Sequence, residues 1–224
     1  MKKVLIYVEG QTEETFIRDV LRPHLNPKGV YPVPILARTR RTRSGDVFKG
    51  GVITYGRVRR EVLRLLQDAS AALVTTMMDY YGLPSDFPGR DRLPAGDPYR
   101  RVAFLEEAFA QDIGHPRFLP FLTLHEFEAL LFAQPDQLAA LFPRVREKDL
   151  QRLIDEVSGL GPEEIDEGPD THPAARILRC FPEYRKALHG PLIASRIGLS
   201  TIRGKCPHFH EWVSRLESLG AQAP

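Results

Sequence analysis

The chain lacks the marks of a stapled, membrane-spanning or strongly charged protein. It has two cysteines in 224 residues, Cys180 and Cys206, far apart and in no C-x-x-C motif. Such a pair supplies neither a disulfide framework nor a zinc set and fits a reducing compartment. No apolar run approaches the roughly 20 residues that a membrane helix needs. The opening MKKVLIYVEG is interrupted by an acid and makes a poor signal-peptide core. A cytoplasmic protein with no membrane partner is the expectation. No G-x-x-x-x-G-K-[ST] loop occurs, so the chain carries no P-loop of its own. The net charge of +2 lies too near zero to identify a partner.

What is present has the order of an α/β protein. The length fits one medium domain with an appendage, or one continuous domain, and is ample for a core. Val4 to Val8 forms a β-rich run suited to a strand buried on both faces, and Thr12 offers an N-cap with Glu13 and Glu14 in the first helical turn. Residues 32–37 read as a second strand, at an edge because of their prolines. Tyr55 to Leu66 has helical spacing, residues 71–78 form a second strongly apolar run, 100–113 is helical, and Phe118 to Leu124 is a further strand. Beyond residue 135 the pattern is mixed, with helices expected around 147–158, 173–187 and at the C-terminus. Alternating strands and helices predict a largely parallel sheet flanked by helices, with a mostly helical C-terminal portion. The division drawn is 1–134 and 135–224.

Two apolar runs each end in a lone acid: LIYVE at Glu9 and AALVTTMMD at Asp79. Singly, each is an ordinary polar strand end. Neighbouring parallel strands would bring both to the carboxyl edge of the sheet, where ligands collect. Two carboxylates there repel and raise one another's pKa, and a divalent cation relieves the conflict.

VEGQTEE (8–14), MMDYYGLPSDFPG (77–89) and LHEFEALLF (124–132), with KGGVITY (49–55) and IRGKCPHFHEWVSRLE (202–217), resemble the toprim-like DUF4276 family. The resemblance covers most of the chain. The toprim fold also serves topoisomerases, bacterial primases and the overcoming-lysogenization-defect nucleases. Its pattern is a glutamate after the first strand, matched by Glu9, and an Asp-x-Asp after a later one, matched at its first position by Asp79. The second position holds Tyr81, and a phenol with a pKa of about 10 does not replace a hard carboxylate ligand at neutral pH. Glu126 is the leading candidate for the missing acid, ahead of Asp86. Glu128 is better explained as helix-start decoration, and His125 as a polar boundary residue.

Other groups complete the expectation. RTRRTRSGDVFKGG and the helix after it place eight Arg or Lys residues against one acid between Arg38 and Arg60. Arg38, Arg40, Arg41, Arg43, Lys49 and Arg57 are candidate nucleic-acid backbone contacts. Near the C-terminus, Lys205 and Arg203 are candidates to face the scissile phosphate, while Cys206, His208 and His210 are too few for zinc. Glu13 and Tyr81 are supporting positions around Glu9 and Asp79.

The expectation is a Mg²⁺- or Mn²⁺-dependent nuclease with Glu9, Asp79 and Glu126 as metal ligands and Lys205 as a catalytic cation. Glu9 could alternatively serve as general base. The resemblance implies a nucleic-acid substrate and a separate ATPase encoded nearby, in a phage-defence setting; a homodimer is also admitted. Two alternatives stand beside it: a non-catalytic module binding nucleic acid or the ATPase, and a phosphoryl-transfer enzyme acting on a small nucleotide.

Overall fold

Val4 to Val8 has no exposed member, and its alternation explains the layering of the protein. In a computed structural model describing residues 1–37, 54–166 and 168–221, Val4, Ile6 and Val8 enter one core and Leu5 and Tyr7 another. This strand, β1 (Lys2–Val8), is central. It pairs in parallel with β2 (Val30–Leu36) on one side and β3 (Ala71–Asp79) on the other.

Beyond β3 lie β4 (Phe118–Leu119) and β5 (Leu122–Thr123), both also parallel to it. The single strand expected over 118–124 is thus two short pieces, parted by Pro120, which cannot donate to a ladder. The sheet is parallel throughout and flanked by helices, as expected. Its prolines leave β2 at the edge.

The first helix runs from α1 (Gln11–Phe16) through a wider π turn at Ile17–Leu21 into α2 (Arg22–Leu25). Its cap is Gly10 rather than Thr12. The Glu13 side chain reaches back to accept the Gly10 N–H at 2.9 Å, and Thr12 is buried. Phe16, Ile17, Leu21 and Leu25 pack into the first core.

The opposite face is covered by α3 (Tyr55–Leu66) and α4 (Pro98–Ile113), through Val58, Val62, Val102, Leu105 and Phe109. The C-terminal portion is helical: α5 (Glu147–Glu156), α6 (Pro173–Cys180), α7 (Lys186–Ile197), α8 (Leu199–Lys205) and α9 (Pro207–Ala221). The helix expected over 173–187 is two, because Phe181-Pro182 ends α6 and α7 begins afresh at Lys186. Phe209, Trp212 and Leu216 are buried, as their spacing predicts. Among the described residues no helix is long and apolar enough to cross a membrane.

Candidate active site

Parallel register is what brings the two lone acids together. Val8, the last residue of β1, is level with Met77 of β3, so Glu9 and Asp79 leave the same carboxyl edge about one step apart. Their charges interact. Burial pushes the Glu9 carboxyl well above the ordinary range and Asp79 and Glu13 push it further, while Lys186 and a backbone hydrogen bond from Asp79 act in the other direction.

The chain crosses this edge a second time. Tyr80 N–H donates to Thr123 O at 3.0 Å and Tyr81 N–H to His125 O at 2.8 Å, so residues 122–125 run alongside the end of β3. His125 then adopts φ 59°, a left-handed turn unusual for a side-chain-bearing residue. It is buried, with Nε2 3.1 Å from Glu163 O. Past the turn, Phe127 N–H donates to Asp79 Oδ1 at 2.9 Å and opens a 3₁₀ helix over Phe127–Ala133. The local sequence leaves HEFE open between strand and helix. It is a helix start, with Glu126 at the cap position and Glu128 in the first turn, and an oxygen of each faces Lys186.

The central cation of this site is Lys186, at the first turn of α7. Its Nζ lies 2.9 Å from Asp79 Oδ2, 2.8 Å from Glu128 Oε2 and 3.9 Å from Glu126 Oε2. Burial opposes its charge, but Asp79, Glu128 and Glu13 outweigh that and hold it well above its ordinary pKa. Close packing seats the helix. A Cβ on Gly190, one turn along, would stand 3.0 Å from a Phe127 ring carbon and 3.3 Å from the Thr12 methyl.

Glu128 is fully buried, takes the Tyr184 hydroxyl at 2.9 Å, and is pushed up to about 7, chiefly by burial. Glu13 is likewise raised to about 7, by burial first and then by Asp79.

Several expected site residues stand elsewhere or act differently. Among the described residues Glu126 forms no three-carboxylate cluster with Glu9 and Asp79. Its Oε1 lies 2.8 Å from His172 Nδ1 and accepts the Ala174 N–H at 2.6 Å, while Oε2 lies 3.9 Å from Lys186 Nζ. Glu128, read as decoration, meets Lys186 instead. Asp86 accepts the Tyr55 N–H at 3.0 Å, at the start of α3.

Arg203 is held by both Glu217 oxygens, at 2.7 and 3.1 Å, and by Ser214. Lys205 lines a cleft with Phe132, Ile154 and Leu160, and among the described residues the ammonium paired with the edge carboxylates is that of Lys186. Among the described residues, neither Arg203 nor Lys205 is paired with the edge carboxylates, whereas Lys186 is. Arg57 pairs with Glu61 at 3.3 Å, while Arg38, Arg40, Arg41, Arg43 and Lys49 lie outside the described residues. Cys206 is buried, and burial pushes its thiol well up, so it favours the neutral thiol over the thiolate.

A hard divalent cation fits the donor chemistry of the edge. Glu9 and Asp79 are oxygen ligands whose mutual repulsion, with that of Glu13, a cation would relieve. Among the described residues no cluster of three or more His, Cys, Asp or Glu side chains forms a ready cage. Mg²⁺ characteristically needs only one or two protein carboxylates, with water and phosphate completing its shell.

No curated protein matches the chain. Among solved structures, the C-terminal region of the Xanthomonas campestris pv. campestris OLD protein is similar over 96% of this chain and 97% of that one. At 16% identity and a TM-score of 0.41, that likeness carries no argument about function. The sequence model of the family described as Domain of unknown function (DUF4276) matches residues 8–217, and the chain belongs to that family.

Proposed function

We propose that this protein is a divalent-metal-dependent nuclease that hydrolyses phosphodiester bonds at the carboxyl edge of its sheet. The supporting observation is the meeting of Glu9 and Asp79 at the ends of neighbouring strands, with Glu9 pushed strongly upward by burial and by Asp79. Glu9 and Asp79 would hold Mg²⁺ or Mn²⁺, which when bound neutralises phosphate charge and acidifies a water. Glu9, which gives up its own proton as the cation binds, acts as that ligand or, alternatively, as the general base to the attacking water. Lys186, whose side chain is 37% exposed, can turn its ammonium from Asp79 to a phosphate oxygen. Glu126 and Glu128 flank Lys186 at the same edge. A separate ATPase partner and a role in phage defence follow from the resemblance to toprim nucleases and belong to the same proposal.

Two observations favour a non-catalytic nucleic-acid- or ATPase-binding module. Lys186 already neutralises Asp79 and Glu128 internally, and Tyr81 stands where a second aspartate would. Incubation of plasmid, single-stranded DNA and RNA with Mg²⁺ or Mn²⁺ separates the two. The nuclease reading expects cation-dependent cleavage that falls at least about a hundredfold in both Glu9→Ala and Asp79→Ala. Unchanged cleavage in the double variant, or tight metal-independent binding without cleavage, overturns it.

A further inference from the structure

Asp79 is followed by two tyrosines with opposite fates. Tyr80 is buried in the second core, whereas Tyr81 is 44% exposed beside the carboxylates. The exposure is not looseness. The Tyr81 backbone N–H is fixed to His125 O, and its ring lies on the His172 ring with centroids 5.2 Å apart and planes within 17°.

His172 is itself anchored, with Nδ1 2.8 Å from Glu126 Oε1. The next residue after Tyr81, Gly82, runs beside the other key acid: a Cβ there would be 3.8 Å from Glu9 Oε2. One short loop thus joins Asp79, an exposed aromatic ring and the flank of Glu9. Tyr31, also exposed, differs in having the Arg22 guanidinium over its ring at 5.1 Å.

We propose that Tyr81 is a stacking platform for an unpaired nucleobase, so that the site takes single-stranded nucleic acid in preference to duplex. This rests on the nuclease reading for what happens next, but the stacking itself does not require cleavage. A ring backed on one face by His172 loses little freedom when a base settles on the other. In a duplex the faces of the bases are already stacked on their neighbours, so the platform would first have to unstack one, which disfavours the duplex. Every base has a π-face, so the contact selects strandedness and not sequence. A base held there brings the adjoining backbone towards the carboxylate edge.

The test uses the full chain and short DNA oligonucleotides carrying 2-aminopurine, single-stranded or annealed, without divalent cation. The wild type is expected to bind the single strand about tenfold or more tighter than the duplex and to quench 2-aminopurine. Tyr81→Ala should lose about 5- to 100-fold in single-strand affinity, and the quenching with it. Tyr81→Trp should retain both, and circular dichroism melting confirms that each variant is folded. Equal binding of single strand and duplex by the wild type, no binding of either, or quenching that survives Tyr81→Ala overturns the platform. Quenching that depends on Tyr81, with no cleavage when Mg²⁺ or Mn²⁺ is added, leaves the platform standing and removes only the nuclease reading.

Discussion

Lys186 Nζ stands 2.9 Å from Asp79 Oδ2 although 107 positions separate the two residues in the chain. The same ammonium reaches Glu128 Oε2 at 2.8 Å and, among the described residues, is the positive charge paired with the edge carboxylates. Replacing it with an apolar chain of similar length should expose what it offsets. Lys186→Met is expected to destabilise the metal-free protein by about 1–3 kcal/mol, a buried-pair cost discounted for the partial exposure of the lysine. Mn²⁺ should raise the melting temperature of the variant more than that of the wild type. Equal melting temperatures and equal Mn²⁺ shifts would show that the lysine is not the counterion.

The raised carboxyls give the metal-free protein an unusual pH response. Glu13 and Glu128 are raised to about 7, and Glu9 well above its ordinary value, with burial the first cause in each case. In the unfolded chain these groups return to the ordinary range near 4.5, so between about 4.5 and 7 the folded protein binds more protons than the unfolded one. Stability from this source is full below about 4.5 and is lost as pH rises through 7. Lys186, raised rather than lowered, stays charged across that window. Glu217 is lowered to about 2, so its contribution falls away only on the acid side. The metal-free protein should therefore melt at a higher temperature at about pH 5.5 than at about pH 8, and saturating Mg²⁺ should narrow the gap. A melting temperature that climbs steadily from about pH 5.5 to 8 without metal would contradict the site electrostatics.

Glu163 secures the C-terminal helix from a distance. Its two carboxylate oxygens accept the N–H groups of His208 and Phe209 at 3.0 and 2.9 Å, in the first turn of α9, and the residue is 2% exposed. Glu163→Ala strands these donors in the interior and should cost about 1–3 kcal/mol in urea denaturation. Glu163→Gln keeps one acceptor oxygen and should lose less. Equal losses in the two variants would mean that packing, not the hydrogen bonds, holds the helix start.

Sequence pattern exposes some parts of this protein and hides others for physical reasons. Glu9 and Asp79 are visible because each interrupts an apolar run at a strand end, and a parallel sheet aligns such ends. Glu128 is misread because an acid in a helical first turn already has a local explanation, while its true partner comes from α7. Lys186 is hidden for a related reason. In EYRKALHG it looks like any surface lysine, and a helix continued through 173–187 would leave it in a final turn. Pro182 is the available signal that a new helix begins there. Arg203 and Lys205 draw attention because charges cluster around them in sequence, but Glu217 holds Arg203 from one turn of α9. Local density of charge does not report which way a helix faces.

The carboxylates and the ammonium that faces them enter the chain on opposite sides of residue 134. A fragment ending there would carry Glu9, Glu13, Asp79, Glu126 and Glu128 without Lys186, and its complement would hold that lysine and the His172 that backs Tyr81. Neither fragment would be a smaller version of the whole. The C-terminal helices are not cladding on a finished lobe. They complete its charge balance, so the counterion of Asp79 and Glu128 is in place only once the chain has been made past residue 186.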